Sequence, residues 1–171
     1  STYTIEGSDV SMKVNTSNGI THWNMGGVDV IPANTSGKSA PAYSNYRWIE
    51  NDAPYGTDPY YSTSNGVSSR KYTIKMASDS STVTITETGT GSLCNYKFVY
   101  TVNRDGTVDM QATYTPTGSN LRRIGMLMQF NPELSMTQYY ARGPLDNTID
   151  RKQGSDLGIY ELPVSDFHVD Y

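Results

Sequence analysis

Apolar and polar residues alternate along most of this chain, and no segment sustains the three- and four-residue spacing of a helix. Val10, Met12 and Val14 give a period of two. So do Tyr72, Ile74 and Met76, then Val83 and Ile85, then Tyr96, Phe98, Tyr100 and Val102, and then Val108, Met110, Ala112 and Tyr114. Successive side chains of a strand point to opposite faces, so the pattern predicts half-buried β-strands. Shorter strands are predicted over 3–5, 20–23, 28–31, 137–141, 159–162 and 167–171. Ser17-Asn18-Gly19 carries the Asn-Gly signal for a tight hairpin, since both of those residues tolerate positive φ. Gly26-Gly27 and Asn103-Arg104-Asp105-Gly106 are further turn signals. Pairing Phe98 and Tyr100 against Val108 and Met110 would put aromatic and apolar side chains opposite one another. The expected fold is all-β and antiparallel.

One stretch, residues 121–151, organises the rest. Ile124, Met126, Met128 and Phe130 alternate with Gly125, Leu127 and Gln129, predicting a strand with one buried face. Asn131-Pro132-Glu133 breaks it, because proline cannot donate to a ladder. By contrast, residues 33–66 are dominated by Gly, Pro, Ser, Asn and Tyr and read as one long irregular loop, a kind that is usually functional or mobile.

Length and composition narrow the class. The 171 residues suit one large domain, and 18% charged against 11% aromatic residues, with 14 tyrosines, fits a β protein. A net charge of −4 with scattered basic residues gives no nucleic-acid or anionic-membrane footprint, and no apolar run is long enough to span a bilayer. The single cysteine, Cys94, excludes an internal disulfide and reads as a buried thiol. The strand-like start at Ser1 and the stop at Tyr171 without a closing turn suggest a segment of a longer protein.

Candidate chemistry is thin. Glu50 and Asp52, two apart on an extended chain, would project to one side roughly 6–7 Å apart, whereas a hydrolase places its acids on opposite sides of the scissile bond. They read as loop acids, turn caps or rim groups. Trp48, in the irregular loop, could stack on a sugar face; Trp23 and one of the adjacent Tyr139 and Tyr140 read as core. Arg142, Asp150 and Arg151 suit the fixing of a long connection. Gly37-Lys38-Ser39 lacks the upstream glycine of a phosphate loop, Pro32 standing there, and His22 and His168 are too isolated for a metal site.

The order of residues in 121–151 carries a resemblance. Arg123-Ile124-Gly125, a tyrosine-rich strand, then Arg142-Gly143-Pro144 followed by Asp146, Asn147, Asp150 and Arg151 resembles the small-chain, C-terminal β-sandwich domain of bacterial β-galactosidases of glycoside hydrolase family 2. Asp146 stands where that family carries glutamate and Thr148 where it carries tyrosine. The segment Arg47-Trp48-Ile49-Glu50-Asn51-Asp52 is similar to a family segment on the sugar-cleft side, which implies Arg47, Trp48, Glu50, Asn51 and Asp52 as carbohydrate-cleft candidates. The resemblance implies a large antiparallel double sheet of the galactose mutarotase-like type, incomplete at its C-terminus.

It also implies a parent that hydrolyses terminal non-reducing β-D-galactosides with retention. Retaining enzymes use two carboxylates about 5–5.5 Å apart; in the resembled family both are glutamates on a (β/α)₈ barrel, for which this chain has no alternating strand–helix pattern. The implied role is therefore non-catalytic, with no catalytic residue and no cofactor in this segment; Mg and Na ions belong to the catalytic part. Implied partners are the barrel, the remaining sandwich strands, a β-galactoside and further copies of a homo-oligomeric parent, in the cytoplasm or periplasm of a bacterium. The alternative is a free-standing carbohydrate-binding module. An epimerase-like activity would need a histidine facing a carboxylate.

Overall fold

The computed structural model describes residues 1–33, 41–45, 67–91, 93–118, 123–144 and 151–167. They are almost entirely antiparallel β-structure, as the alternation predicts. The chain divides into two compact units, Ser1–Asn131 and Pro132–Tyr171.

The first unit is built from two four-stranded meanders. β1 (Thr2–Glu6), β2 (Val10–Asn15), β3 (Gly19–Met25) and β4 (Val28–Ile31) lie side by side in chain order, as do β6 (Ser68–Met76), β7 (Thr82–Thr90), β8 (Cys94–Asn103) and β9 (Val108–Pro116). Their inward positions form one cluster: Met12, Val14, Ile20 and Ile31 from the first sheet, and Ile85, Cys94, Phe98 and Tyr100 from the second. Trp23 lies within this core. This is a β-sandwich, and its apolar interior is the main source of its stability. A small ladder completes the unit, with β5 (Ala42–Ser44) paired to β10 (Gly125–Leu127). β5 places Tyr43 in the core, stacked on Tyr96 at 5.3 Å; it lies inside the stretch that reads as an irregular loop.

Local chemistry explains the turns. Gly26 and Gly27 take φ of 58° and 83° between the paired Met25 and Val28, as a two-residue primed turn requires. The hairpin before β3 differs from expectation: only Gly19 takes positive φ, at 78°. Its loop is longer, because Asn15 opposes Gly19 and the Asn15 side chain accepts from the N–H groups of Ser17 and Asn18. The turn is thus organised by Asn15, and Asn18 has no need of the left-handed region.

Three other expectations are corrected. Phe98 opposes Ala112, not Val108, although Tyr100 does oppose Met110. The strand expected over 124–130 contracts to β10; Ile124 and Met126 pack on the core while Phe130 is half exposed. In the second unit β11 (Met136–Gly143) pairs with β12 (Asp156–Pro163), after which Phe167 ends a 3-10 turn, Val164–Phe167, rather than starting a strand. A second 3-10 turn, Lys152–Gly154, precedes β12.

Candidate functional site

The one buried acid among the described residues of the first unit stands where the period of two would have assigned an apolar side chain. Along β7 the inward positions are Val83, Ile85, Glu87 and Gly89, and Glu87 is 1% exposed. It stands opposite Tyr72 on β6 and Phe98 on β8. Its Oε1 accepts a hydrogen bond from the Tyr96 hydroxyl at 2.9 Å and lies 3.1 Å from Arg70 Nε. The Arg70 N–H is not aimed at that oxygen, so the contact is an ion pair rather than a hydrogen bond.

The electrostatics follow from burial. Loss of water pushes the Glu87 carboxyl above its ordinary range, with Arg70 and the tyrosine hydroxyls pulling the other way. Burial first, and the Glu87 charge second, push Tyr96 up to about 12 and Tyr72 and Tyr100 further. The hydroxyls of Tyr72 and Tyr100 are buried without a well-formed hydrogen bond. Gly89, opposite Tyr96, makes the arrangement possible: a Cβ there would stand 2.5 Å from the Tyr96 hydroxyl. Sealed from solvent, this carboxylate ties β6, β7 and β8 together through Arg70 and Tyr96. The signal that could have found it is an acid on the inward phase of a strand.

In the second unit the recognised motif forms a corner at the end of the β11–β12 hairpin. Arg142 Nη1 donates to the carbonyl of buried Ser155 at 2.8 Å, tying β11 to the start of β12. The Tyr139 hydroxyl donates to the Pro144 carbonyl at 3.2 Å, and Gly143-Pro144 is a cis peptide. Gly143 is buried because Tyr139 and Tyr160 close over it; a Cβ there would meet the Tyr139 hydroxyl at 2.7 Å. Tyr139 packs on Tyr160 and Phe167, whereas Tyr140 is 70% exposed, so the adjacent tyrosines do face opposite ways. The arginine fork here secures a connection. Arg151 leads into the Lys152–Gly154 turn.

Arg123 and Gly125 belong to the first unit, where Gly125 opposes Ser44 and Arg123 is exposed. Asp146, Asn147 and Asp150, and the cleft candidates Arg47, Trp48, Glu50, Asn51 and Asp52, lie outside the described residues, as does His168. His22 is less isolated than its sequence position suggests. Its Nε2 lies 2.9 Å from Asp29 Oδ1, and Asn24 donates to the same oxygen at 2.8 Å. The Asn24 bond and then His22 hold Asp29 below the usual carboxylate range. All three lie on the β3–β4 hairpin, which the cluster clasps.

An open depression of about 240 Å³ lies between the β1–β2 turn and the turns after β6 and β8, and Glu6 is the one acid on its wall. It therefore lacks the facing carboxylates that glycoside hydrolysis needs. Among the described residues no three His, Cys, Asp or Glu side chains converge as a cation site.

Comparison with known proteins places this scaffold. A β-galactosidase of Priestia megaterium is 27% identical over 99 residues, which are 57% of this chain and 10% of that protein. The chain thus matches only about a tenth of the length of this curated relative. Residues 6–171 match the family described as beta galactosidase small chain. An all-β sandwich, the Arg142-Gly143-Pro144 corner and a match that runs from Glu6 to the last residue lead to one conclusion: the chain belongs to the β-galactosidase small-chain family.

Proposed function

We propose that this chain is a non-catalytic accessory domain of a β-galactosidase acting on terminal non-reducing β-D-galactosides with retention. In this reading it packs on a catalytic barrel that carries both reactive glutamates, and Arg47, Trp48, Glu50, Asn51 and Asp52 border the sugar cleft. The family match over residues 6–171 carries the proposal. It is supported by the fate of Glu87, the one buried acid among the described residues, which is held by Tyr96 and Arg70 inside the sandwich. A galactose mutarotase-like double sheet is part of the same reading.

The test is complementation. The purified chain alone should not turn over a chromogenic β-galactoside, whereas mixing it with a β-galactosidase catalytic part lacking this domain should restore activity. Turnover by the chain alone sinks the proposal. Calorimetric titration with lactose separates it from a free-standing carbohydrate module, which would bind the sugar without the barrel.

A further inference from the structure

The outer face of the second sheet is laid out in straight rows. Lys71, Thr88, Lys97 and Thr113 stand side by side across β6, β7, β8 and β9. The next row runs Thr73, Thr86, Val99 and Gln111. The third runs Lys75, Thr84, Thr101 and Asp109. These positions alternate with buried Ile85, Glu87, Phe98 and Tyr100, so the pleat turns all of them away from the core.

Lysines scattered in the sequence are gathered on this face. It holds three of the six lysines of a chain whose net charge is −4, and all three are exposed. Among the described residues none of them has an acid within ion-pair distance. Asp109, at the far corner, is the only acid in the three rows, and it accepts from the Asn103 amide. With strands about 4.8 Å apart and residues advancing about 3.4 Å, Lys71 and Lys97 are set roughly 10 Å apart and Lys71 and Lys75 roughly 13 Å. Threonine hydroxyls, which both donate and accept, fill the ground between them.

The make-up of the face selects the partner. Protein interfaces are enriched in aromatic residues, Met and Arg and depleted in Lys; the three rows hold no aromatic residue, Met or Arg. Elements that lie on a membrane set an apolar side against lipid, and Val99 is the only apolar residue here. Free ammonium groups among hydroxyls suit a ligand that is extended, anionic and itself rich in hydroxyls. We propose that this face holds an acidic polysaccharide of the polyuronate type, with carboxylates on Lys71, Lys75 and Lys97 and sugar hydroxyls on the threonines of β7. Charges so sparsely set match a chain with at most one carboxylate per sugar better than a densely sulfated one. Exposed ion pairs are weak and screened, so the grip is multipoint, of low affinity, and fades as ionic strength rises.

Interferometry on immobilised polygalacturonate tests this. The chain should bind at low ionic strength and release as salt is raised. Lys71→Gln, Lys75→Gln and Lys97→Gln combined should weaken binding at least tenfold. Lys13→Gln with Lys152→Gln, at exposed lysines away from this sheet, should change it by less than about twofold, which separates the face from overall charge. Thr86→Val with Thr88→Val keeps the β-branched shape, removes two hydroxyls, and should weaken binding severalfold. No binding, an equal loss from the Lys13 and Lys152 pair, binding indifferent to the threonine pair, or binding to heparin or to phosphatidylserine vesicles in place of polygalacturonate overturns the proposal.

Discussion

Replacing Arg70 by methionine removes the cation beside Glu87 while keeping most of the side-chain volume. Glu87 is 1% exposed and the Arg70 side chain 29% exposed, so the variant strands a carboxylate inside the sandwich. Breaking a buried pair costs about 3–5 kcal/mol, and partial exposure of Arg70 puts this case near 3. For a unit of this size that is a fall in Tm of about 10 °C.

The loss should depend on pH. Burial raises the folded-state pKa of Glu87 above its ordinary value of 4.5. The folded chain therefore binds this proton more tightly than the unfolded chain does. This group's contribution to stability is greatest below 4.5 and declines as pH climbs towards the raised folded value. Without Arg70 that window widens. At pH 5 the variant can protonate Glu87 for less than about 1 kcal/mol, whereas at pH 8 the same escape costs about 5. Urea unfolding followed through buried Trp23 should show the full loss at pH 8 and under a third of it at pH 5. The double variant Arg70→Met, Glu87→Leu should return to within about 1 kcal/mol of the wild type or exceed it. A pH 8 loss below about 1 kcal/mol, or one of equal size at both pH values, would refute the reasoning.

Two further outcomes follow from packing and hydrogen bonding. Gly89→Ala forces the Tyr96 ring away from Glu87 and should cost about 1–3 kcal/mol, more than Tyr96→Phe, as measured by chemical denaturation. Arg142→Ala removes the bond to the Ser155 carbonyl; it should cost about 1.5–3 kcal/mol, and amide exchange should quicken across β11 and β12 while β7 and β8 stay protected.

The strands were legible because each sheet has one wet and one dry face. Val10, Met12, Val14 and the inward residues of β8 declare themselves by alternation, and Asn103–Gly106 by turn chemistry. Registers were harder. Phe98 falls opposite Ala112 because the Asn103–Thr107 loop, closed by Asn103 N to Thr107 O and Gly106 N to Asn103 O, sets the offset, and alternation alone is blind to it. β5 is too short to show a period, and its burial comes from the stacking of Tyr43 on Tyr96, a contact between distant residues. Of the site, the Arg142-Gly143-Pro144 corner was readable as a motif, and in the structure Arg142 bonds the Ser155 carbonyl at the end of the β11–β12 hairpin. The Glu87 network was not, since an acid among threonines looks solvent-facing until Arg70 and Tyr96 are brought to it.

That carboxylate has a consequence for how the ladder chooses its alignment. Sliding β7 by one residue turns its dry side outward, which water opposes strongly. Sliding it by two keeps every greasy residue indoors, so hydrophobicity has no vote. Such a slide, however, would carry Glu87 away from its partners and maroon a bare charge among hydrocarbons. Among the described residues the sandwich thus holds a single acidic peg that fits one notch, and misaligned chains are rejected by electrostatics where oiliness alone would have let them pass.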